Sequence, residues 1–333
     1  DGSVTLSLFA PDADKVVVGG TDMVNPMDPP SLAKNGDGVW SVTLTPPPGT
    51  YRYAFNVDGL QVADPKNPMV STTNSTVMSL VHIDGSPAGE DRKAVPHGAL
   101  AEVFYPSEQF GERRRLHVYT PPGYEASDDA YPVFYLLHGA GDSDDSWGTV
   151  GRANFILDNL IASGAAKPMI VVMPAGHWPD QGNSMAALTA TEPGSDPYTK
   201  DFTGSIVPYI EAHYRTLAGK ENRAIAGLSM GGAQTLTLAL TRPDLFDYAG
   251  VFSSGFFGET GNSYSAEQLQ AGADYELFYF AWGSDDFVVP YTLYSLELFD
   301  HYGVEIVKNE TGGGHTWENW RNYLHDFAPR LFN

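Results

Sequence analysis

From Asp1 to about His82, apolar and polar positions alternate in short runs separated by clusters of Pro, Gly, Asp and Asn. Strict alternation places one face of a strand against a core, and frequent turn residues favour antiparallel hairpins. No run here has the period of a helix. The pattern predicts a small, all-β antiparallel sandwich. Its predicted strands cover residues 4–9, 15–18, 39–44, 51–57 and 77–82.

The pattern then changes to nearly continuous apolar runs separated by stretches of helical period, such as residues 154–162 and 206–214. Strands that are apolar on both faces are typical of buried parallel sheets. Two antiparallel edge strands, over residues 99–105 and 114–119, lead into this part. The prediction is a doubly wound, mostly parallel α/β sheet that binds ligands at the carboxyl ends of its strands. The apolar runs are 133–137, 169–173, 224–226, 248–252 and 277–281.

A polar, proline-bearing segment without periodicity, residues 85–96, separates the two patterns and is typical of a linker. The chain has 333 residues, which exceeds one average domain. We therefore expect a β-sandwich domain with its linker over residues 1–92 and an α/β domain over residues 93–333.

Composition narrows the possible partners. A net charge of -22 and a pI near 4.5 disfavour nucleic acid and anionic membranes, which both require clustered Lys and Arg. The absence of cysteine excludes disulfides, thiolate metal sites and a cysteine nucleophile. No apolar run is long enough to span a membrane. The chain starts at Asp1 without a charged and apolar leader, which is typical of a mature or trimmed product. We separately expect a secreted protein that needs neither cofactor nor metal.

The clearest chemical motif is Gly227-Leu228-Ser229-Met230-Gly231, which follows a short apolar strand and precedes a helix. This G-x-S-x-G pattern is that of a nucleophile elbow, in which Gly227 and Gly231 leave room for a sharp strand-to-helix turn. Ser229 is the predicted nucleophile. The first backbone N–H groups of the helix have no partner within it, so we expect Met230 to contribute one oxyanion donor.

A serine nucleophile needs a histidine base and a carboxylate, which follow it in the order acid, then histidine in this fold. His301 ends a predicted helix and His325 lies inside another. His315 instead follows a predicted strand over residues 304–307 and a glycine-rich loop suited to a mobile base. We therefore predict His315 as the base. The loop after the strand ending at Trp282 offers Asp285 and Asp286, between which the residues alone do not decide.

A second oxyanion donor is expected from the loop after an earlier strand. Residues 138–142 read His-Gly-Ala-Gly-Asp, and we predict that Ala140 is the donor, with Gly139 as the second choice. His138 is disfavoured as a base or metal ligand because it precedes the serine and has no partner cluster.

Aromatic residues near these motifs are candidates for binding an acyl group or a sugar. We select Trp178, Phe256 and Trp317, since a flat ring against another ring contributes about 0.5–1.5 kcal/mol beyond area burial. A core role for Trp317 is equally consistent with its position at the start of a helix. The long polar loop over residues 182–200 is expected to form a rim or lid.

The N-terminal part resembles a known module. Residues 51–59, Tyr-Arg-Tyr-Ala-Phe-Asn-Val-Asp-Gly, followed by Asp-Pro-Lys-Asn-Pro at 64–68, are similar to the early-set, immunoglobulin-like module of the family-48 carbohydrate-binding type. The resemblance implies a glycan-binding or substrate-positioning role. The alternative is that the aromatic residues of these strands alternate into and out of a core. They are Trp40, Tyr51, Tyr53 and Phe55.

The elbow, residues 138–142, residues 283–286 and residues 312–321 together resemble carbohydrate esterase family one. That family contains feruloyl and acetylxylan esterases, with mycolyltransferases and esterase D as more distant relatives. Its triad acid immediately precedes the aromatic or aliphatic residue of the acid loop, which corresponds to Asp286. The resemblance implies metal-independent hydrolysis of esters on plant cell-wall xylan through an acyl-serine intermediate.

Our leading hypothesis is a serine esterase that releases feruloyl groups from xylan, with plant cell-wall polysaccharide as its partner. An acetylxylan esterase with the same triad is the near alternative. A glycan-binding protein without catalysis is an alternative of another class, and it would lack a triad member, whereas all three are present.

Overall fold

The computed structural model describes residues 2–20, 23–24, 27–178, 192–258 and 260–333. Antiparallel sheets occupy the N-terminal part, and a larger sheet flanked by helices follows from Ala99 onward. Within these described ranges, none of the helices has the length and apolar character needed to cross a membrane.

The N-terminal strands form two sheets, one in the order β1-β4-β3 and one in the order β2-β5-β8-β7 with β6 paired to β5. Every strand predicted from the alternating pattern is present, and the short strands β3, β6 and β7 add to them. The immunoglobulin-like assignment stays a prediction. The strands are β1 Val4–Phe9, β2 Val16–Gly19, β3 Ala33–Lys34, β4 Val39–Leu44, β5 Gly49–Val57, β6 Leu60–Val62, β7 Val70–Thr72 and β8 Val77–Ile83.

A shared apolar core joins the two N-terminal sheets and explains the alternation. Leu6 and Leu8 of β1 pack with Trp40 of β4 and with Tyr53 and Phe55 of β5. These side chains are all buried, as is the ring of the nearby tyrosine at position 51. For the aromatic residues of these strands, the core alternative is therefore correct.

The described residues from Ala99 onward form an eight-stranded sheet in the order β16-β15-β14-β13-β11-β12-β10-β9. β10 runs antiparallel to both of its neighbours, β9 and β12, and all other neighbouring strands of the sheet are parallel. Only β9 is an edge strand at this end, because β10 pairs with β12. The strands are β9 Ala99–Ser107, β10 Glu112–Thr120, β11 Val133–Leu137, β12 Ile170–Pro174, β13 Arg223–Leu228, β14 Tyr248–Phe252, β15 Leu277–Gly283 and β16 Val307–Thr311.

Helices cover both faces of this sheet, as the doubly wound prediction requires. Along β11, Phe134 and Leu136 belong to one core, whereas Tyr135 and Leu137 belong to the other. A π-helical segment, Phe202–Ile206, connects α2 to α3. The helices are α1 Ala153–Ala162, α2 Pro197–Asp201, α3 Val207–His213, α4 Met230–Thr241, α5 Ala266–Gln270, α6 Val289–His301 and α7 Trp317–Phe327.

The last strand differs from its prediction. The sequence places it over residues 304–307, whereas β16 begins at Val307 and ends at Thr311. Val304 is instead a buried residue of the turn that follows α6, and its N–H donates to Phe299 O at 3.0 Å. Its apolar character therefore serves packing against the helix and not strand pairing.

The segment between the two parts is held firmly, although its composition is typical of a linker. Glu90 is 0% exposed and accepts hydrogen bonds from Thr50 Oγ1 at 2.9 Å and Ser86 Oγ at 3.0 Å. It also forms an ion pair with Arg321 of α7, whose Nη1 donates to Thr50 O and Val150 O at 3.1 Å. The Glu90–Arg321 pair thus ties the N-terminal strands to the α/β part.

We expect the Glu90→Ala substitution to lower the free energy of unfolding by about 3–5 kcal/mol, because removing one partner leaves a buried charge unpaired. Urea unfolding followed by tryptophan fluorescence measures this. Asp244→Ala is a suitable control, since it breaks an exposed ion pair with Arg242 and is expected to cost about 1 kcal/mol or less. Equal losses for the two variants would contradict the role given to Glu90.

Candidate active site

The predicted nucleophile lies in a strained turn between a strand and a helix. β13 ends at Leu228, α4 begins at Met230, and Ser229 between them has φ 52° and ψ -114°. A non-glycine residue in such a conformation costs on the order of 1–3 kcal/mol and persists only where its surroundings hold it. Here Ser229 N–H donates to Phe252 O at 2.9 Å, and Ser254 Oγ donates to Ser229 O at 2.7 Å.

The glycines on either side of the serine allow a close crossing of backbones. A Cβ atom on Gly227 would lie 2.3 Å from Gly231 O, and one on Gly231 would lie 2.7 Å from His138 O. No side chain fits at these distances, which confirms the steric prediction for both glycines.

The structure selects between the two candidate acids. Asp285 is exposed, whereas Asp286 is 4% exposed, and His315 Nδ1 lies 3.0 and 3.1 Å from its two carboxylate oxygens. Burial raises the pKa of Asp286, but hydrogen bonds from His315 and Val288 N–H outweigh it and bring the pKa below its usual value. An ionised carboxylate fixes the proton on Nδ1 and leaves Nε2 free to act as a base.

Aromatic side chains fix the orientation of the histidine. His315 lies in the connection between β16 and α7, with its ring 4.5 Å from that of Phe287 and 5.0 Å from that of Trp320. Trp320 Nε1 donates to Ser253 Oγ at 3.0 Å, which holds the indole in place. The imidazole is therefore held on both sides and by its carboxylate partner.

The serine and the histidine line the same open cleft, of about 390 Å³. Its walls are mainly apolar and aromatic, but they also include residues of the N-terminal part. The lining residues are Arg52, Thr73, Gly139, Ala140, Gly141, Asp142, Leu228, Ser229, Phe287, His315, Trp317 and Trp320.

Both candidates for the second oxyanion donor lie at this cleft. A Cβ atom on Gly139 would be 3.5 Å from Ser229 Cβ, so its backbone is close to the nucleophile, and Ala140 follows it along the wall. Met230 is the first residue of α4, where the N–H groups have no helical acceptor. The oxyanion roles of Ala140 and Met230 remain predictions.

His138 has a structural role at the base of this loop. Its Nδ1 donates to Gly139 O at 2.8 Å, and its Nε2 accepts from Gly176 N–H at 2.9 Å. Burial lowers the pKa of His138, which favours the neutral ring that this pairing requires. Both ring nitrogens are used, in agreement with the sequence argument against a role as base or ligand.

The three aromatic residues predicted to bind substrate lie in different places. Trp317 lines the cleft and is buried, which agrees with a core role, and its contact with a substrate stays a prediction. Trp178 does not line this cleft, in contrast to the prediction, and instead lines a separate hollow with Gln234 and Tyr264. Phe256 is also wrong as a cleft residue, since it is 3% exposed and packs in the core against Phe299. Of the predicted lid, residues 182–191 lie outside the described residues.

Sequence reasoning did not select four residues of the cleft. Arg52 and Thr73 come from the N-terminal part, Phe287 follows the acid directly, and Trp320 lies in the first turn of α7. A signal existed for Arg52, because it is a charged residue within the otherwise apolar and aromatic run of β5.

One group among the described residues has the donor atoms for a metal ion. Ligand atoms of His82, Asp84 and Asp91 lie within 4.8 Å of one another at the end of β8. None of the three lines the catalytic cleft.

A mostly parallel sheet, a serine in a strained strand-to-helix turn and a buried aspartate–histidine pair at the same cleft define an α/β-hydrolase. The family model named Esterase matches residues 107–284, and the chain belongs to this family. The match includes the elbow and the oxyanion loop candidates, while Asp286 and His315 both lie beyond it.

Individual relatives agree with this assignment. The chain is 35% identical over 278 residues to an endo-1,4-β-xylanase/feruloyl esterase of Xylanibacter ruminicola, covering 77% of this chain and 36% of that protein. The chain thus spans about a third of that relative's length. A solved ferulic acid esterase from Anaeromyces mucronatus is 26% identical with a TM-score of 0.61, covering 74% of this chain and 96% of the other.

Another solved structure extends the likeness in fold to the N-terminal part. The enterobactin esterase of Shigella flexneri has a TM-score of 0.66 and covers 98% of this chain and 92% of its own. At 17% identity, this likeness shows the fold alone.

Proposed function

We propose that the chain is a serine esterase that hydrolyses feruloyl and related hydroxycinnamoyl esters on plant cell-wall xylan. The observation that carries the proposal is the aromatic wall of the cleft, where Phe287, Trp317 and Trp320 stand beside the serine and the histidine. Flat apolar walls suit an aromatic acyl group, whereas an acetyl group has no ring to place against them. The names of the Xylanibacter and Anaeromyces relatives support the same substrate class.

Acylation follows from the arrangement of the side chains. His315 Nε2 takes the proton of Ser229 Oγ while Oγ bonds to the ester carbonyl carbon, and the carbonyl oxygen becomes an oxyanion. The amides of Ala140 and Met230 donate hydrogen bonds to that oxyanion. The carbonyl re-forms as the bond to the sugar oxygen breaks, and His315 gives its proton to the departing alcohol. Asp286 stays ionised and stabilises the imidazolium.

Deacylation repeats these steps with water. His315 takes a proton from water as the water oxygen bonds to the acyl carbon, and a second oxyanion forms at the same amides. When it collapses, the bond to Ser229 Oγ breaks and His315 returns the proton to the serine. The products are the free hydroxycinnamic acid and the unchanged enzyme.

Activity on two esters tests the substrate class. We expect kcat/KM for the hydrolysis of methyl ferulate to exceed kcat/KM for the release of acetate from acetylated xylan. Phe287, which is 66% exposed, gives a variant with small structural risk, and Phe287→Ala should lower kcat/KM for methyl ferulate by about 2–10-fold, with a smaller loss on 4-nitrophenyl acetate.

Phe9→Ala is the matched control, because Phe9 is similarly exposed on β1 and does not line the cleft. Faster turnover of the acetyl substrate by the unmodified enzyme would instead favour the acetylxylan esterase. Equal losses on both esters would indicate that Phe287 acts through His315 and not through the acyl group.

We also propose that the N-terminal part is a carbohydrate-binding module and that the protein is secreted. The resemblance at residues 51–59 supports an early-set module of the carbohydrate-binding type, whose sugar contacts would come from residues other than its buried core aromatics. A polymeric cell-wall substrate supports secretion, because the polymer is accessible only outside the cell that makes the enzyme.

A further inference from the structure

The oxyanion loop, residues 139–142, receives hydrogen bonds from the N-terminal part. Asn74 Nδ2 donates to Ala140 O at 2.7 Å, and Asn74 N–H lies 3.4 Å from Gly141 O. At the end of the loop, Arg52 Nη1 donates to Asp142 Oδ1 at 2.6 Å. The carbonyls of two loop residues and the carboxylate of a third are thus held by side chains or backbone from strands β5 to β8 and their connections.

Arg52 is arranged as a rigid support. It is 3% exposed, and its Nε donates to Ser71 Oγ at 2.9 Å. Its Nη2 donates to Thr72 O at 3.1 Å and to Ser146 Oγ at 2.6 Å. The planar guanidinium therefore joins two N-terminal residues to two residues of the α/β part, a geometry that lysine cannot reproduce.

Within the loop itself, Asp142 N–H donates to Gly139 O at 3.1 Å and closes a turn around the loop's centre. Gly139 and Gly141 flank Ala140, and a Cβ atom on Gly141 would meet nothing within 4 Å. Within the α/β part, His177 Nε2 lies 2.8 Å from Ala140 O and adds one hydrogen bond. Because a peptide plane is rigid, holding the Ala140 carbonyl fixes the plane that begins at Ala140 Cα and carries the Gly141 amide. The Ala140 N–H lies in the preceding plane with Gly139 O, and this plane shares the same Cα. Holding the carbonyl therefore limits the rotation of the Ala140 amide about that shared atom.

We propose that the N-terminal part is built into the catalytic apparatus, with Arg52 and Asn74 as positioning residues that set the oxyanion donors. This inference rests on the proposed esterase function and goes beyond it. It gives the N-terminal part a role in the chemical step of hydrolysis for every ester substrate, including small soluble ones. Neither residue needs to contact the reacting atoms, because both act through residues 139–142.

The proposal is tested in the full chain with 4-nitrophenyl acetate and methyl ferulate, which are too small to depend on polysaccharide binding. Asn74→Ala and Arg52→Met should each lower kcat by about 10–100-fold with little change in KM, because a misplaced oxyanion donor weakens transition-state binding. Inhibition by an aryl boronic acid, which forms a tetrahedral adduct on a serine, should weaken in parallel with kcat.

Asn56→Ala is the matched control. Asn56 Oδ1 accepts from Gly59 N–H at 2.9 Å in an exposed turn of the same N-terminal part, and Asn56 does not line the cleft. We expect this variant to keep the kcat of the unmodified enzyme. Asn74 is only partly buried, so Asn74→Ala keeps the test valid even where Arg52→Met fails to fold.

The outcomes separate this inference from the proposed function. Full kcat and unchanged boronic acid inhibition in Asn74→Ala would overturn the inference. A change confined to KM would also overturn it, because it would indicate substrate contact in place of donor positioning. An unmodified enzyme that cleaves 4-nitrophenyl acetate but not methyl ferulate would contradict the feruloyl proposal while leaving this test intact.

Discussion

Replacing Ser229 with alanine is expected to lower kcat on methyl ferulate by about 10⁶-fold, the loss seen when a triad serine is removed from a hydrolase. The physical reason is that Ser229 is the only serine lining the described cleft, and cysteine is absent from the chain. The other hydroxyl of the cleft, Thr73 Oγ1, donates to Thr76 O at 3.0 Å. Initial rates by product chromatography measure the loss, and intact-protein mass spectrometry with an activated feruloyl ester detects the acyl adduct.

The comparison needs a serine that lies near the site without taking part in it. Ser284 is exposed in the acid loop and does not line the cleft, so Ser284→Ala should retain activity and the adduct. A Ser229→Ala enzyme that still accumulates the adduct, or that keeps more than about a hundredth of the rate, would contradict the proposed nucleophile.

Replacing Asp286 with asparagine should lower kcat by about 10⁴-fold, because an amide in place of the carboxylate stabilises the wrong tautomer of the histidine. In the unmodified protein, His315 Nδ1 lies 3.0 Å from Asp286 Oδ1. This hydrogen bond keeps the proton on Nδ1 and leaves the lone pair on Nε2. Steady-state kinetics on methyl ferulate near neutral pH measures the effect.

The same substitution at the neighbouring aspartate, Asp285, is the matched control. Asp285 is exposed, and its backbone N–H donates to Gly313 O at 2.9 Å without involving the carboxylate. Asp285→Asn should therefore leave kcat unchanged. Similar losses in the two variants would show that the loop as a whole, and not the Asp286 carboxylate, supports the histidine.

Much of the site could be predicted because its parts carry local signals. A serine between glycines after an apolar strand indicates an elbow wherever a strand and a helix must cross closely, and Gly227 and Gly231 occupy the crossing. His315 could be chosen because order along the chain and a glycine-rich loop exclude the alternatives. The strands of both parts were similarly readable, since alternation and continuous apolar runs report how many faces are buried.

Other features had no local signal. Asp285 and Asp286 are chemically identical, and only the turn after β15 decides which carboxylate is buried against the histidine. Trp178 and Phe256 have the composition expected of a binding site, yet they lie in a separate hollow and in the core, respectively.

By itself, the sequence determined the α/β class and most of the sheet-forming segments, and it predicted the nucleophile and its histidine, because hydrophobic period, glycine sterics and chain order can be read along the chain. The residues alone left Asp285 and Asp286 open, and the family resemblance gave Asp286, which the tertiary structure places against His315. Only the tertiary structure decided that Arg52 reaches the catalytic cleft. These results depend on contacts between residues far apart in the chain, such as Arg52 and Asp142, whose pairing is set by how the N-terminal sheets pack against the loop. A buried guanidinium requires satisfied donors, and its partners are visible only once both parts are folded together.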